Sequence, residues 1–161
     1  MDMVTPMKKI IYDIGGGFIE PIKALQIGGP LGGVIPIKEE EKLNLDFQEF
    51  TNAGFMLGHG SIVSIPDNFS MIKYIHHLFK FSAEESCGKC FPGRLGSYRG
   101  KEMFDQAVNK TNKIPMKLLN ELLVTMQKGS LCALCGAIPV PIQNILKYFT
   151  HEFKADINQE A

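Results

Sequence analysis

The residues of this chain best suited to chemistry are its four cysteines. They form two C-x-x-C pairs, Cys87-Gly88-Lys89-Cys90 and Cys132-Ala133-Leu134-Cys135, far apart in the sequence. Scattered cysteines rarely pair in this way. A C-x-x-C turn sets two sulfurs on one side of a tight loop, and Gly88 and Gly136 lend those turns backbone freedom. Two such turns offer four thiolates to one centre, and sulfur ligation of that kind points to zinc or an iron–sulfur cluster. Buried free thiols in a core are the plainer reading of any cysteine, but they leave the pairing without a cause. Cys87, Cys90, Cys132 and Cys135 are therefore the candidate ligands.

Other reactive residues add little. Lys89 and Arg94 flank the first pair, where they either balance a negatively charged centre or sit as surface charges on a turn; the two readings weigh equally. His59, His76, His77 and His151 have no metal-like spacing to a cysteine and read as structural or surface residues. The glycine-rich stretch 15–33 contains neither a G-x-x-x-x-G-K-[ST] loop nor a G-x-G-x-x-G at the head of a βαβ unit, so tight turns explain it better than a phosphate cradle. No nucleophile–base pair and no paired catalytic carboxylates stand out. The chain is not expected to be a catalyst on its own.

The elements around the cysteines are mostly helical. From Ser70 onward, Met71, Ile72, Ile75, Leu78 and Phe79 recur at helical spacing, with Asn68 or Ser70 as the cap, and the helix ends near Glu84. A second helix is expected over about Arg99–Val108. A third opens at Pro115 and carries Leu118, Leu119, Leu122, Leu123 and Met126; a fourth begins near Pro141 and carries Ile142, Ile145, Leu146, Phe149 and Phe153. Each cysteine pair lies between two helices. An antiparallel four-helix bundle with such connections brings both loops to one end. Residues 154–161 are polar and expected to fray.

The first part of the chain has a different texture. Ile22–Ile27 alternates apolar and polar residues between glycine turns and reads as a strand, Val34–Ile37 as a second with Pro36 arguing for an edge, and Ser61–Pro66 as a buried third. Glu39-Glu40-Glu41 reads as a solvated surface segment. The expected fold class is α+β: a truncated β-grasp-like module over 1–68, a four-helix domain over 69–153 with the cysteine-ligated metal centre, and a polar tail over 154–161.

Composition narrows the function class. The chain has 161 residues, 45% of them hydrophobic, enough for a real core. Its 17 basic and 17 acidic residues leave a formal net charge of +0, without the basic excess of a nucleic-acid binder. No stretch approaches the roughly 20 apolar residues of a membrane span, and no signal-peptide core follows the first residues. A cytoplasmic location is expected, free or within a membrane-associated complex. In that compartment paired cysteines more often bind metal than form disulfides.

Four blocks in order carry a resemblance. They are Ile11-Tyr12-Asp13-Ile14-Gly15-Gly16-Gly17, Ala24-Leu25-Gln26-Ile27-Gly28-Gly29-Pro30-Leu31-Gly32-Gly33, Glu85-Ser86-Cys87-Gly88-Lys89-Cys90-Phe91-Pro92 and Leu131-Cys132-Ala133-Leu134. From about Ile10 to Phe153 the chain resembles the C-terminal part of the NADH-binding flavoprotein subunit of respiratory complex I, a module shared with NAD-linked and electron-bifurcating hydrogenases and formate dehydrogenases. The first two blocks look like the family's soluble-ligand-binding β-grasp domain and the last two like its iron–sulfur motif. The resemblance implies a [4Fe–4S] cluster, with [2Fe–2S] or zinc as alternatives, and a role as an electron-transfer subunit of a larger NAD-linked oxidoreductase. It implies a flavin- and NADH-binding partner subunit and further iron–sulfur subunits. The alternative role is a non-redox assembly subunit with a zinc staple or no metal.

Two departures from the family pattern matter. The flavin- and nicotinamide-binding domain has no counterpart here, so no flavin or NAD site is expected in this chain, and the β-grasp part is expected to lack its opening hairpin, as in a split-off subunit or a remnant. The family's third clustered cysteine corresponds to Gly93, while Cys135 is an extra cysteine beside the family's remote one at Cys132. On this reading one ligand has moved from position 93 to position 135.

Overall fold

The computed structural model describes residues 4–158, and the chain divides into two compact units between Phe69 and Ser70. The first unit is built on a three-stranded antiparallel sheet in the order β2-β1-β3, with β1 (Ile22–Ile27) at its centre, β2 (Gly33–Pro36) on one side and β3 (Ile62–Pro66) on the other. Ala24, Leu25 and Ile27 of β1, Val34 and Ile35 of β2 and Ile65 of β3 are buried, as the pleat of a half-covered sheet requires. β2 ends at Pro36, whose missing N–H suits an edge strand. Ile37 then opens a single helical turn, α1 (Ile37–Glu40), instead of continuing the strand. α2 (Phe47–Asn52) is capped by Asp46, whose carboxylate accepts from the N–H groups of Gln48 and Glu49 at 2.8 and 2.9 Å.

Two expectations for this unit change. β3 reads as buried in the sequence, yet of its residues only Ile65 is, and Ile62 and Val63 are exposed, because α1 packs on β1 and β2 whereas β3 packs chiefly on β1. The acidic segment 39–41 is not uniformly solvated. Glu39 and Glu41 pair with Lys42 and Lys8, but Glu40 is only 1% exposed and neither carboxylate oxygen has a hydrogen-bond partner. Burial pushes the Glu40 carboxyl up, the Glu41 charge pushes the same way, and Lys8 opposes them.

This sets a pH dependence. A carboxyl raised on folding makes the folded state hold its proton longer than the unfolded state does. Stability should be greatest below the ordinary carboxyl range, fall as pH rises through that range to the raised value, and then level off. Glu41, lowered by its Lys8 partner, has the opposite dependence, but both groups are well exposed at 2.7 Å separation, so solvent screens it. Urea unfolding from about pH 4 to about pH 7 should show the decline in the natural chain and its loss in Glu40→Gln; equal slopes in the two proteins would refute the assignment.

The second unit is mainly helical. α3 (Met71–Glu85), α4 (Ser97–Val108), α5 (Met116–Gly129) and α7 (Pro139–Phe149) are the long helices, and α6 (Ala133–Ala137) is a short one between the last two. α3 packs most extensively on α4, where Phe79 stacks on Phe104 with centroids 5.6 Å apart. α7 packs on α3 and α5. Met71, Ile75, Leu78 and Phe79 form the buried stripe of α3, and Leu119, Leu123 and Met126 that of α5. Residues 154–158, expected in the polar tail, instead form a 3-10 turn at Lys154–Asp156 and a strand β5 (Ile157–Asn158) that pairs in parallel with β4 (Ile114–Pro115). Ile157 is buried there and anchors the segment; residues 159–161 lie outside the described residues. Together the units make an α+β chain, and no described helix is long and apolar enough to cross a membrane.

Candidate metal centre

All four cysteines lie in the second unit. α3 stops at Glu85 and delivers Ser86 and the loop carrying Cys87 and Cys90. The Gly88 N–H donates to Ser86 Oγ at 3.3 Å. Past Cys90 the chain winds into a π-helical turn over Pro92–Gly96, started by Pro92, and the Arg94 N–H donates to the Cys90 carbonyl at 2.9 Å. On the other side α5 ends at Gly129. Cys132 occupies the N-cap position of α6 in extended backbone, and Cys135 lies inside α6. The π-helical turn packs against both α5 and α6, so the two cysteine loops meet.

Their meeting point is Gly93. A methyl group at that residue would lie 3.1 Å from Cys90 Sγ, 3.2 Å from Cys135 Sγ and 3.2 Å from Ser86 Oγ. The two sulfurs therefore face one another across a backbone position that has no side chain. Cys135 is buried at 2% exposure, Cys90 is half-buried, and Cys87 and Cys132 are exposed. Thus Cys90 and Cys135 are brought together, Cys132 is near enough to act on Cys135 electrostatically, and Cys87 sits at the outer start of its loop.

The polar surroundings of the two inner sulfurs differ. The backbone N–H of Leu131 leads the effects that hold the Cys90 thiol below the usual thiol range, followed by that of Gly93; Ser130 Oγ is buried nearby with no hydrogen-bond partner among the described residues. The influence of Leu131 on Cys90 also brings the second loop against the first. Burial pushes the Cys135 thiol up, the hydroxyls of Ser82 and Ser86 oppose that, and the neighbouring Cys132 and Cys90 push it further up. Sequence reasoning missed Ser82 and Ser130. The available signal was Ser82 itself, a polar residue one turn beyond Leu78 and Phe79 on the buried stripe of α3.

The donor set suits a thiolate-bound cluster: four soft sulfurs, two per loop, with N–H donors on one and hydroxyls on another. No three Cys, His, Asp or Glu side chains among the described residues are placed to hold a single ion. A tetrahedral zinc with bonds of about 2.3 Å would need its sulfurs roughly 3.8 Å apart, whereas a four-iron cube holds them further apart. Arg94 lies with its guanidinium 5.4 Å from the Phe91 ring centroid, so it remains beside the loop.

The two cysteine loops meet as they would in an iron–sulfur module. The family described as the NADH-ubiquinone oxidoreductase-F iron–sulfur binding region matches residues 73–156, over half of the chain, and the chain belongs to it, with that family's 4Fe–4S binding region. Among its relatives, the NADP-reducing hydrogenase subunit HndC of Solidesulfovibrio fructosivorans is 29% identical over 161 residues, which cover 98% of this chain and 33% of the relative. The F-subunit of the NADH-quinone oxidoreductase of Rickettsia bellii (strain OSU 85-389) is 31% identical over 159 residues, covering 96% and 38%. The chain thus spans between about a third and two-fifths of these relatives' length. Among solved structures, the NAD+-reducing [NiFe]-hydrogenase in the H2-reduced state superposes with a TM-score of 0.81 at 20% identity, over 98% of this chain and 26% of that one, a likeness of fold.

Proposed function

We propose that this chain is the iron–sulfur electron-transfer subunit of a larger NAD-linked oxidoreductase, and that Cys87, Cys90, Cys132 and Cys135 hold its [4Fe–4S] cluster. Bound there, the cluster takes up and releases single electrons. The chain's own residues fix its place: α3, α4, α5 and α7 serve as a four-helix scaffold that presents both loops from one end. Leu131 and Gly93 donate N–H groups at Cys90, which stabilises negative charge on a ligating sulfur. A flavin- and NADH-binding subunit would supply the electrons, and another iron–sulfur subunit would receive them. Phe91 and Leu131, 70% and 82% exposed beside the two cysteine pairs, give apolar surface of the kind a partner subunit covers.

The observation that carries this reading is the position of Cys135 Sγ, 3.2 Å from where a side chain at Gly93 would begin and next to Cys90. The sulfur supplied by α6 lies close to where a side chain at position 93 would begin, which supports Cys135 as the replacement for the family's third clustered cysteine. The test is iron and acid-labile sulfide in protein purified without oxygen, with an EPR spectrum after reduction. Iron and sulfide near four per chain support the proposal. Values near two would keep the relay role with a [2Fe–2S] centre. Zinc without sulfide, or no metal, would leave an assembly subunit and end the electron-transfer reading.

A further inference from the structure

We infer that Ser82 and Ser86 are positioning residues for Cys135, and that their hydroxyls raise the reduction potential of the cluster through that one sulfur. This rests on the function proposed above.

Ser82 belongs to the buried stripe of α3 and is completely inaccessible to solvent. Every buried neighbour on that stripe from Met71 to Phe79 is apolar, so packing alone gives no reason for a hydroxyl there. Its oxygen lies 3.8 Å from Cys135 Sγ, at hydrogen-bonding distance for sulfur. Ser86, one helical turn further on, lies 3.9 Å from the same sulfur. Its oxygen accepts from the Gly88 N–H at 3.3 Å, which leaves its own proton to be donated. A thiol at Cys135 donates its proton to Ser86 Oγ. A metal-bound thiolate has no proton, so in both contacts the hydroxyl is the group that can donate.

The consequence follows from charge. Reduction adds an electron to an already anionic thiolate-ligated centre, and hydrogen bonds to a ligating sulfur stabilise that added charge. The effect is largest where water is excluded, and Cys135 is the buried sulfur of the four. The centre is asymmetric: backbone N–H groups serve Cys90, while side-chain hydroxyls serve Cys135, the ligand from the shifted position.

The experiment is an EPR-monitored redox titration of the natural chain and Ser82→Ala, with iron and sulfide measured on each. Alanine keeps the helix and removes only the donor. The expected result is a more negative midpoint potential at unchanged iron and sulfide content. Ser82→Thr, which keeps the hydroxyl, should hold the potential near that of the natural chain. An unchanged potential in Ser82→Ala overturns the inference. So does an equal shift in Ser82→Thr, and so does loss of the cluster together with the fold, which would make the hydroxyl a structural one. A natural chain that holds no iron removes the proposed function and this inference together, and the metal analysis of that chain separates that outcome from failure of the serine role alone.

Discussion

Cys135→Ala is expected to strip most of the iron from the protein, and adding Gly93→Cys to the same chain is expected to restore it. Changes to the outer partners of a metal ligand typically cost about 10–100-fold in affinity, and loss of one of four ligands should cost more. The protein itself should survive: Cys135 is buried, but replacing its sulfur by hydrogen removes little more than one methylene equivalent, about 1 kcal/mol, and alanine favours the helical backbone of α6. Loss of iron from a variant whose iron-free form is within about 1 kcal/mol of the iron-free natural chain in stability would then mark Cys135 as a ligand. The rescue is the sharper half. A side chain at position 93 starts 3.1 Å from Cys90 Sγ, 3.2 Å from Cys135 Sγ and 3.2 Å from Ser86 Oγ, and the Cys135 contact is relieved once that residue is Ala. Gly93→Cys in the natural chain should therefore strain the site, whereas Gly93→Cys/Cys135→Ala should recover iron, sulfide and the EPR signal. Full iron content in Cys135→Ala would show that three cysteines suffice and that the shifted-ligand reading is wrong.

That pairing of Gly93 with Cys135 was legible in the sequence only as an exchange in a pattern, and the structure gives it a physical form. The long helices were legible because each buries a 3.6-residue stripe: α3 starts at Met71 after Ser70, and α5 starts at Met116 after Pro115. Ser70 takes the N-cap position without a side-chain hydrogen bond, so the residue type pointed to the boundary and not to the mechanism. The short elements were not legible. α6 has only five residues, Ala133–Ala137, too few for periodicity, and it is held by packing on α5 and the π-helical turn. The burial of Glu40 beside exposed Glu39 and Glu41 depends on how one turn of α1 lies against β1 and β2, which a run of three acidic residues does not encode. Ile62 and Val63 look like core in a sequence and are exposed because the packing of α1 falls on β1 and β2, which composition does not encode. The role of Ser82 needed the fold as well, since its partner Cys135 is far away in the chain.

The second large effect lies in the first unit, at the turn between β1 and β2. Gly28 has φ +93°, and a methyl group on it would lie 2.2 Å from the Leu57 carbonyl oxygen, 2.6 Å from the Leu57 carbonyl carbon and 2.8 Å from Gly58 Cα. All three are backbone atoms, so no rotamer change relieves the contact. Moving the 54–60 segment away would pull on the Gly28 N–H to Ser61 carbonyl and Gly33 N–H to Met56 carbonyl hydrogen bonds, each 2.8 Å. Gly28→Ala thus meets two costs. A left-handed backbone at a residue with a side chain costs about 1–3 kcal/mol, and forced overpacking costs roughly another 1–3 kcal/mol. Together they approach the whole stability of a marginal domain, about 5 kcal/mol at the low end. Gly60 separates the two costs: its φ is also positive, at +80°, but nothing lies within 4 Å of a methyl placed there. In urea denaturation Gly60→Ala should lose only the conformational part, and Gly28→Ala should lose at least about twice as much or fail to fold the first unit. Equal losses at the two positions would mean that the 54–60 segment yields freely to the β1–β2 turn, and the close backbone approach at Gly28 would then have no part in holding the sheet.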